Sequence, residues 1–283
     1  MGKVILSADS TCDLGSELKA KYDVNYYPYH IILDEKEYLD NVNITPDDIY
    51  QAYWDKKLLP KTSAINVMEY VEYFKKWTDE GYEVVHISLG GALTSSCQNA
   101  MLAAQELKGV YTVNSCNLST GMGHLVIEAG KLIEEGLGAK EIAERLNEMT
   151  AKVHSSFILD TLEFMQAGGR CSQVTAFAAT LLNLKPCIMV DNTSGAMGVG
   201  KKYRGDLKKV LCKYTKDQLS EYENIKYDKI FITHSGIEDE YIDLVKDTIK
   251  EVASFDNIYV TRASCTISCH CGPRTLGILF MTK

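Results

Sequence analysis

The chain has 283 residues, 46% apolar and 24% charged, with a formal net charge of −8. That length is expected to hold about two domains. The apolar share excludes a disordered chain, and the acidic balance argues against a general nucleic-acid binder, which needs a basic face.

Nine cysteines, an odd number scattered along the chain, read as reduced thiols rather than a disulfide framework. No stretch approaches the roughly 18 apolar residues of a membrane span. The opening Val4-Ile5-Leu6 run meets Asp9 too soon for a signal-peptide core, and Leu6 breaks the myristoylation pattern. A cytoplasmic location is the expectation.

Residues 4–11 predict a buried strand running into a polar loop, where Asp9, Ser10, Thr11 and Asp13 offer helix-capping chemistry. A second strand over 84–89 ends in Gly90-Gly91 and feeds Thr94-Ser95-Ser96 and a helix through Leu107. A third, over 111–113, leads through Ser119-Thr120 into a helix to about Glu135; a further helix is expected over 139–154. Strand, polar loop and helix, three times over, predict an open parallel α/β sheet. Ligands of such sheets sit beyond the carboxyl ends of the strands, where these hydroxyl-rich loops lie.

The pattern changes beyond about residue 155. Gly168-Gly169-Arg170 marks a turn, 174–184 is apolar and helix-length, and Pro186 opens a strand over 187–190. Helices are expected over 207–222 and 238–253, and strands over 229–234, 257–261 and 275–281. The architecture these elements predict is two α/β domains sharing a cleft, residues 1–155 and 156–283.

Ser10-Thr11, Thr62-Ser63, Thr94-Ser95-Ser96 and Ser119-Thr120 each stand where a strand or turn feeds a helix. Any one of them is explained by helix capping. Hydroxyls and free N–H groups at a helix start also hold a carboxylate or phosphate, and several clusters on one sheet edge favour that second reading. His270, between Cys269 and Cys271, invites zinc. In an extended strand, however, both thiols face away from the imidazole, and no second cysteine pair has zinc-ribbon spacing. The thiols are then small apolar groups, and His270 is either a satisfied core histidine or a proton-sharing partner for a bound acid. Gly168-Gly169 is a simple turn or a bend that aims Arg170 at an anion. Gly90-Gly91 and Gly121-Met122-Gly123 match no nucleotide fingerprint, and no G-x-S-x-G elbow is present. The small residues within 174–182 leave room beside a helix for an acyl chain.

In order, Asp9-Ser10-Thr11-Cys12-Asp13-Leu14, Pro60-Lys61-Thr62-Ser63, Leu93-Thr94-Ser95-Ser96-Cys97-Gln98-Asn99-Ala100 and Gly168-Gly169-Arg170 are followed by Asn183-Leu184-Lys185-Pro186, Lys202-Tyr203-Arg204-Gly205 and His270-Cys271-Gly272-Pro273. Together they resemble the motifs of the DegV family of fatty-acid-binding proteins along nearly the whole chain. The resemblance implies an N-terminal parallel α/β/α sheet and a C-terminal α/β domain with a mixed sheet. One long-chain fatty acid lies in the cleft between them, with no metal and no other cofactor. The C-terminal domain would contribute the acyl channel and His270. The resemblance also implies a separate fatty-acid kinase that receives the carboxylate for acyl-phosphate formation, and transient membrane contact for lipid exchange.

The family's carboxylate-holding threonine and serine match Thr62 and Thr94. Ser95, Ser96 and His270 complete the expected carboxylate site. Ser10, Ser63, Ser119, Arg170 and Arg204 are expected around it or facing the partner. The chain departs from the family pattern at Ser95 and Arg274, both in glycine positions, at Ala64-Ile65, where Gln-Pro is common, and at Ala179, where glycine often flanks the channel. Ser95 is expected to be strained if its position needs positive φ. The expected role is a carrier and not an enzyme. The alternatives are an acyl-ester hydrolase using Ser95 or Ser96 with His270 as base, and a dihydroxyacetone-kinase-like subunit.

Overall fold

The computed structural model describes residues 3–172 and 184–283. In the first half, β1 (Val4–Asp9), α1 (Ser16–Lys21), β2 (Asn25–Tyr27), β3 (His30–Leu33) and β4 (Lys36–Leu39) lead to α2 (Pro46–Lys56), β5 (Lys61–Ser63) and α3 (Val67–Thr78). Then come β6 (Glu83–Ser88), α4 (Ser96–Gln105), β7 (Val110–Asn114), α5 (Ser119–Glu134) and α6 (Ala139–Met149). The second half runs β8 (Val153–Ile158), α7 (Glu163–Gly168), β9 (Leu184–Val190), β10 (Met197–Arg204) and α8 (Leu207–Ser220). It closes with β11 (Ile225–His234), α9 (Asp239–Val252), β12 (Ile258–Arg262), α10 (Cys265–Cys271) and β13 (Leu276–Thr282).

The first sheet is wholly parallel, in the order β2-β1-β6-β7. Alternate residues of its strands are apolar on both faces, as a sheet covered on both sides requires. Ile5 and Val84 pack with Tyr70, Phe74 and Ala100 of α3 and α4. Leu6 and Val85 turn the other way, onto Val126 and Leu146 of α5 and α6. Both α2 and α3 start with reciprocal capping boxes, Thr45 with Asp48 and Asn66 with Glu69.

The second sheet is mixed, in the order β10-β9-β8-β13-β11-β12, with only β11 and β12 parallel. α8 and α9 cover one face through Leu211, Tyr214, Val245 and Ile249. α5 covers the other, since Phe231, Leu279 and Met281 share a core with Met122 and Val126. α5 therefore lies between the two sheets and is buried along almost its whole length. Its glycines are close-packing positions: a Cβ at Gly123 would meet the Cys12 carbonyl at 2.8 Å. A small third sheet, β4-β3-β5, packs Ile31 and Leu33 on Phe164 of α7 and on Cys265 and Cys269 of α10.

Two expectations are corrected. The helix expected over 139–154 ends at Met149; a short 3-10 turn follows, and Val153 begins β8. That segment is held extended by pairing with Met281 and Phe280 of β13, a contact no local pattern announces. Residues 265–271 form a helix, not an extended strand, so the alternation argument about Cys269 and Cys271 does not apply. Among the described residues no group of three His, Cys, Asp or Glu side chains is placed to hold a metal ion, and no helix is long and apolar enough to cross a membrane. The apolar run over 174–182, with Ala179, lies outside the described residues.

Candidate functional site

The chain leaves β1 for β2 on one side and returns to β6 on the other, so the parallel sheet has its switch point between β1 and β6. At the carboxyl ends of these strands, where ligands of open α/β sheets bind, a crevice opens between the two halves. It is lined by residues of both halves, among them Tyr29, Thr62 and Thr94 of the first and Met165, Ile267 and His270 of the second.

The polar end is built from loops of the first half and one helix of the second. Thr62 stands on β5 opposite Ile31 of β3, so its side chain shares the inward face of the small sheet. Its Oγ1 lies 2.9 Å from His270 Nε2. Thr94 and Ser95 line the same wall, with Ser63 beside them. Ser95 precedes the first turn of α4 at φ −75°, so no strain follows from a serine there; its side chain makes no capping bond. The first N–H groups of a helix lack intrahelical partners, and α4 starts at this wall.

Ser96 is placed differently. Its hydroxyl is fully buried, accepts from Ile65 N–H at 3.0 Å and from Thr94 Oγ1 at 3.0 Å, and so ties the loop after β5 to the loop before α4. Asn99 adds a second tie, donating to the Ile65 carbonyl at 2.7 Å.

His270 sits near the end of α10. Burial, with a smaller contribution from the nearby Arg170 charge, lowers its pKa to about 4, so the ring is neutral at neutral pH. Its buried Nδ1 has no hydrogen-bond partner among the described residues. The glycine pair explains the close fit: a Cβ on Gly168 would fall 2.1 Å from Nδ1. Gly169, at φ +65°, closes α7 in the left-handed region. Arg170 is exposed at the mouth of the crevice and donates to the Gly168 carbonyl.

Away from this end the walls are apolar. Leu118, Ile267 and Cys271 line both the crevice and a deeper cavity that continues past Phe157, Ala263 and Leu279. Met165 and Met197 complete the outer chamber.

Three other expected residues are not at the polar end. Ser10 donates to Asp40 at 2.7 Å. Ser119 donates to Asp13 at 2.6 Å and borders the deeper cavity. Arg204 ends β10, is exposed, and lines neither cavity.

Asp9, read from sequence as a capping residue, makes no cap bond. It is fully buried and accepts from Tyr70 OH at 2.6 Å, Leu89 N–H at 2.8 Å and Tyr29 OH at 3.4 Å. Tyr29 and Leu89 are crevice walls, so this carboxyl shapes the site from behind. His86 bridges Asp9 at 3.1 Å and Ser7 Oγ at 2.9 Å, a Ser-His-Asp row. Ser7 and His86 are completely buried and border neither cavity of the site. The one sequence signal for this network is a serine and an aspartate on the same face of a buried strand. Arg274, in a glycine position of the resembled motif, keeps left-handed geometry at φ +60°. Asp160 holds it at 3.0 Å, Tyr241 OH at 3.0 Å, and Glu238 pairs with it as well.

A family model described as an uncharacterised protein of the DegV family matches residues 3–283. A DegV domain-containing protein of Clostridium perfringens is 28% identical over 287 residues, covering 100% of each chain. Among solved structures, a fatty-acid-binding DegV family protein from Thermus thermophilus is 28% identical and superposes with a TM-score of 0.88 over 99% of this chain and 100% of the other. A stearic-acid-binding protein from Eubacterium ventriosum is 25% identical, with a TM-score of 0.86 over 100% of this chain and 99% of its own. This chain belongs to the DegV family.

Proposed function

We propose that this chain binds one long-chain fatty acid between residues 1–155 and 156–283 and presents its carboxylate to a separate kinase for acyl-phosphate formation. The observation that carries the reading is the polarity of the crevice: hydroxyls and an imidazole at one end, an apolar passage at the other. The relatives from Thermus thermophilus and Eubacterium ventriosum, described as binding a fatty acid and stearic acid, support the ligand class.

Burying a carboxylate is costly unless hydrogen bonds replace its water. A neutral His270 with its proton on Nε2 donates to Thr62 Oγ1, which frees the Thr62 hydroxyl proton for the ligand. Ser95, with its unbonded side chain, and the start of α4 add donors beside it. Thr94 and Ser96 act from behind, fixing the loop that presents Ser95. The alkyl chain contributes about 0.8 kcal/mol per buried methylene before ordering costs, so tight binding needs few polar contacts. Arg170, exposed at the mouth, is suited to an incoming phosphate or an acidic partner. Arg204, exposed at the end of β10, is the second cation assigned to the partner. Transient membrane contact would load and unload the lipid.

A carrier fits better than a hydrolase. A catalytic histidine needs an orienting group; among the described residues none bonds His270 Nδ1, and the Ser96 hydroxyl is committed to Ile65 and Thr94. The test is mass spectrometry of the organic extract from denatured protein purified without added ligand. A near-stoichiometric long-chain fatty acid, lost in the Thr62→Ala/Thr94→Ala variant, is the expected result. An empty protein that also fails to take up added palmitate overturns the reading. Acyl phosphate trapped as a hydroxamate with a cognate kinase and ATP tests the presenting role separately.

A further inference from the structure

Asp13 and Asp40 come from the loops after β1 and β4, yet both bond to the start of α10. Asp13 accepts from Ser264 N–H at 2.9 Å. Asp40 accepts from Cys265 N–H at 2.8 Å and from Thr266 Oγ1 at 2.8 Å. Their partners lie 251 and 225 positions away in sequence. Ser264 precedes the helix, where a serine ordinarily caps with its own hydroxyl. Here its side chain makes no cap bond. The helix start is satisfied from the other half of the molecule instead.

The rest of the network points the same way. Ser10 Oγ accepts from Tyr29 N–H at 3.2 Å and donates to Asp40. One carboxyl thus links Tyr29, a wall of the crevice in the first half, to Thr266, a wall in the second. Ser119 Oγ completes the shell of Asp13. Both carboxyls are buried, and both have pKa values raised by that burial, so the donors do not fully offset the loss of water. α10 spans seven residues, a rod of about 10 Å at 1.5 Å per residue. Over two turns, a displacement of its first residue carries through to His270.

We propose that Asp13 and Asp40 are positioning residues: a two-carboxyl clamp on the start of α10 that sets His270 against Thr62, with Ser10 and Ser119 serving the clamp rather than the ligand. The effect on affinity rests on the fatty-acid reading above; the placement of His270 does not.

The experiment follows the ring resonances of His270 in the ligand-free, ¹⁵N-histidine-labelled full chain, together with melting temperature and palmitate Kd. Asp40→Ala is expected to shift the His270 resonances and to weaken palmitate binding about tenfold or more, the scale of a lost buried hydrogen-bond partner. Asp40→Asn keeps an oxygen for Cys265 N–H and is expected to recover most of both. Glu128→Gln, which breaks a buried ion pair with Lys229 elsewhere on α5, is the control: it lowers the melting temperature and moves neither readout. Thr266→Val replaces Asp40→Ala if that variant does not fold. His270 resonances unchanged in the variant used overturn the clamp, whatever the melting temperature does. Resonances that shift in a protein whose wild type takes up no palmitate uphold the clamp and overturn the fatty-acid reading.

Discussion

Thr62 Oγ1 and His270 Nε2 meet at 2.9 Å across 208 positions of sequence, and each belongs to a different half of the molecule. The pair closes the polar end of the crevice and sets which hydroxyl faces a ligand. Thr62→Val keeps the shape and removes the donor. A hydrogen bond to a charged group contributes about 1.5–3 kcal/mol, so palmitate affinity should fall by about tenfold at the lower end of that range and by somewhat over about a hundredfold at the upper end. Thr62→Ser should stay near wild type. Calorimetric titration of the delipidated variants is the check; equal affinity in Thr62→Val removes Thr62 from the carboxylate site.

Gly168 and Gly169 are adjacent and fail differently when changed. Alanine normally favours a helix over glycine by about 1 kcal/mol, but at Gly168 its Cβ would overlap His270 Nδ1. Gly168→Ala should therefore displace the imidazole, cost about 1–3 kcal/mol in overpacking, and weaken palmitate binding. Gly169 has no atom of the described residues within 4 Å of a built Cβ but sits at φ +65°. Gly169→Ala should lose about 1 kcal/mol through backbone strain with binding unchanged. Paired denaturation and binding measurements separate the two.

Much of the parallel sheet is legible in the sequence, because strands buried on both faces carry apolar residues in succession, Val4-Ile5-Leu6 in β1 and Val84-Val85 in β6. The small sheet is not. β4 and β5 are three or four residues long and polar, Lys36-Glu37-Tyr38-Leu39 and Lys61-Thr62-Ser63, and only their pairing with β3 makes them strands. α10 is hidden for a related reason. Cys265-Thr266-Ile267-Ser268-Cys269-His270-Cys271 has no amphipathic stripe because six of its seven residues are buried. Hydroxyl clusters are visible as types, not as destinations. Thr62 and Ser95 reach the crevice, while Ser10, Ser96 and Ser119 turn to satisfy carboxyls and backbone groups whose positions come from distant parts of the chain.

Acid should destabilise the protein before it reaches the carboxylates. Burial lowers His124 to about 3, and His234 and His270 to about 4, below the ordinary 6.5. Each is neutral when folded and takes up a proton on unfolding below that value. The stability they confer is complete above about pH 6.5 and is lost as pH falls toward 4. Asp13 has the opposite sign. Burial raises it from 3.8 to about 7, so its contribution favours the folded state below about pH 4 and is lost as pH rises through 7. Three histidines outweigh one aspartate, so the wild-type melting temperature should drop between pH 6.5 and 4. Asp13→Asn isolates the smaller effect: its stability relative to wild type should rise between pH 4 and 7, by up to about 4 kcal/mol for a shift of that size. A difference that is flat across this window, in urea titrations at fixed pH, rules out the raised carboxyl.

Arg274 tests whether a left-handed position occupied by a non-glycine residue is held by side-chain contacts. Its backbone at φ +60° costs an L-residue about 1–2 kcal/mol, and its guanidinium returns part of this through Asp160, Glu238 and Tyr241. Arg274→Gly loses the contacts and relieves the backbone, whereas Arg274→Ala loses the contacts and keeps the strain. The glycine variant should therefore be more stable than the alanine variant by about 1 kcal/mol, with wild type above the alanine variant. The Asp160 carboxylate also pairs with Lys185 at the start of β9, so Asp160→Asn removes one charge partner from each of two cations and should be less stable than wild type. Thermal melts of the four proteins settle the order; an alanine variant as stable as the glycine one places the strain elsewhere than in the Arg274 backbone.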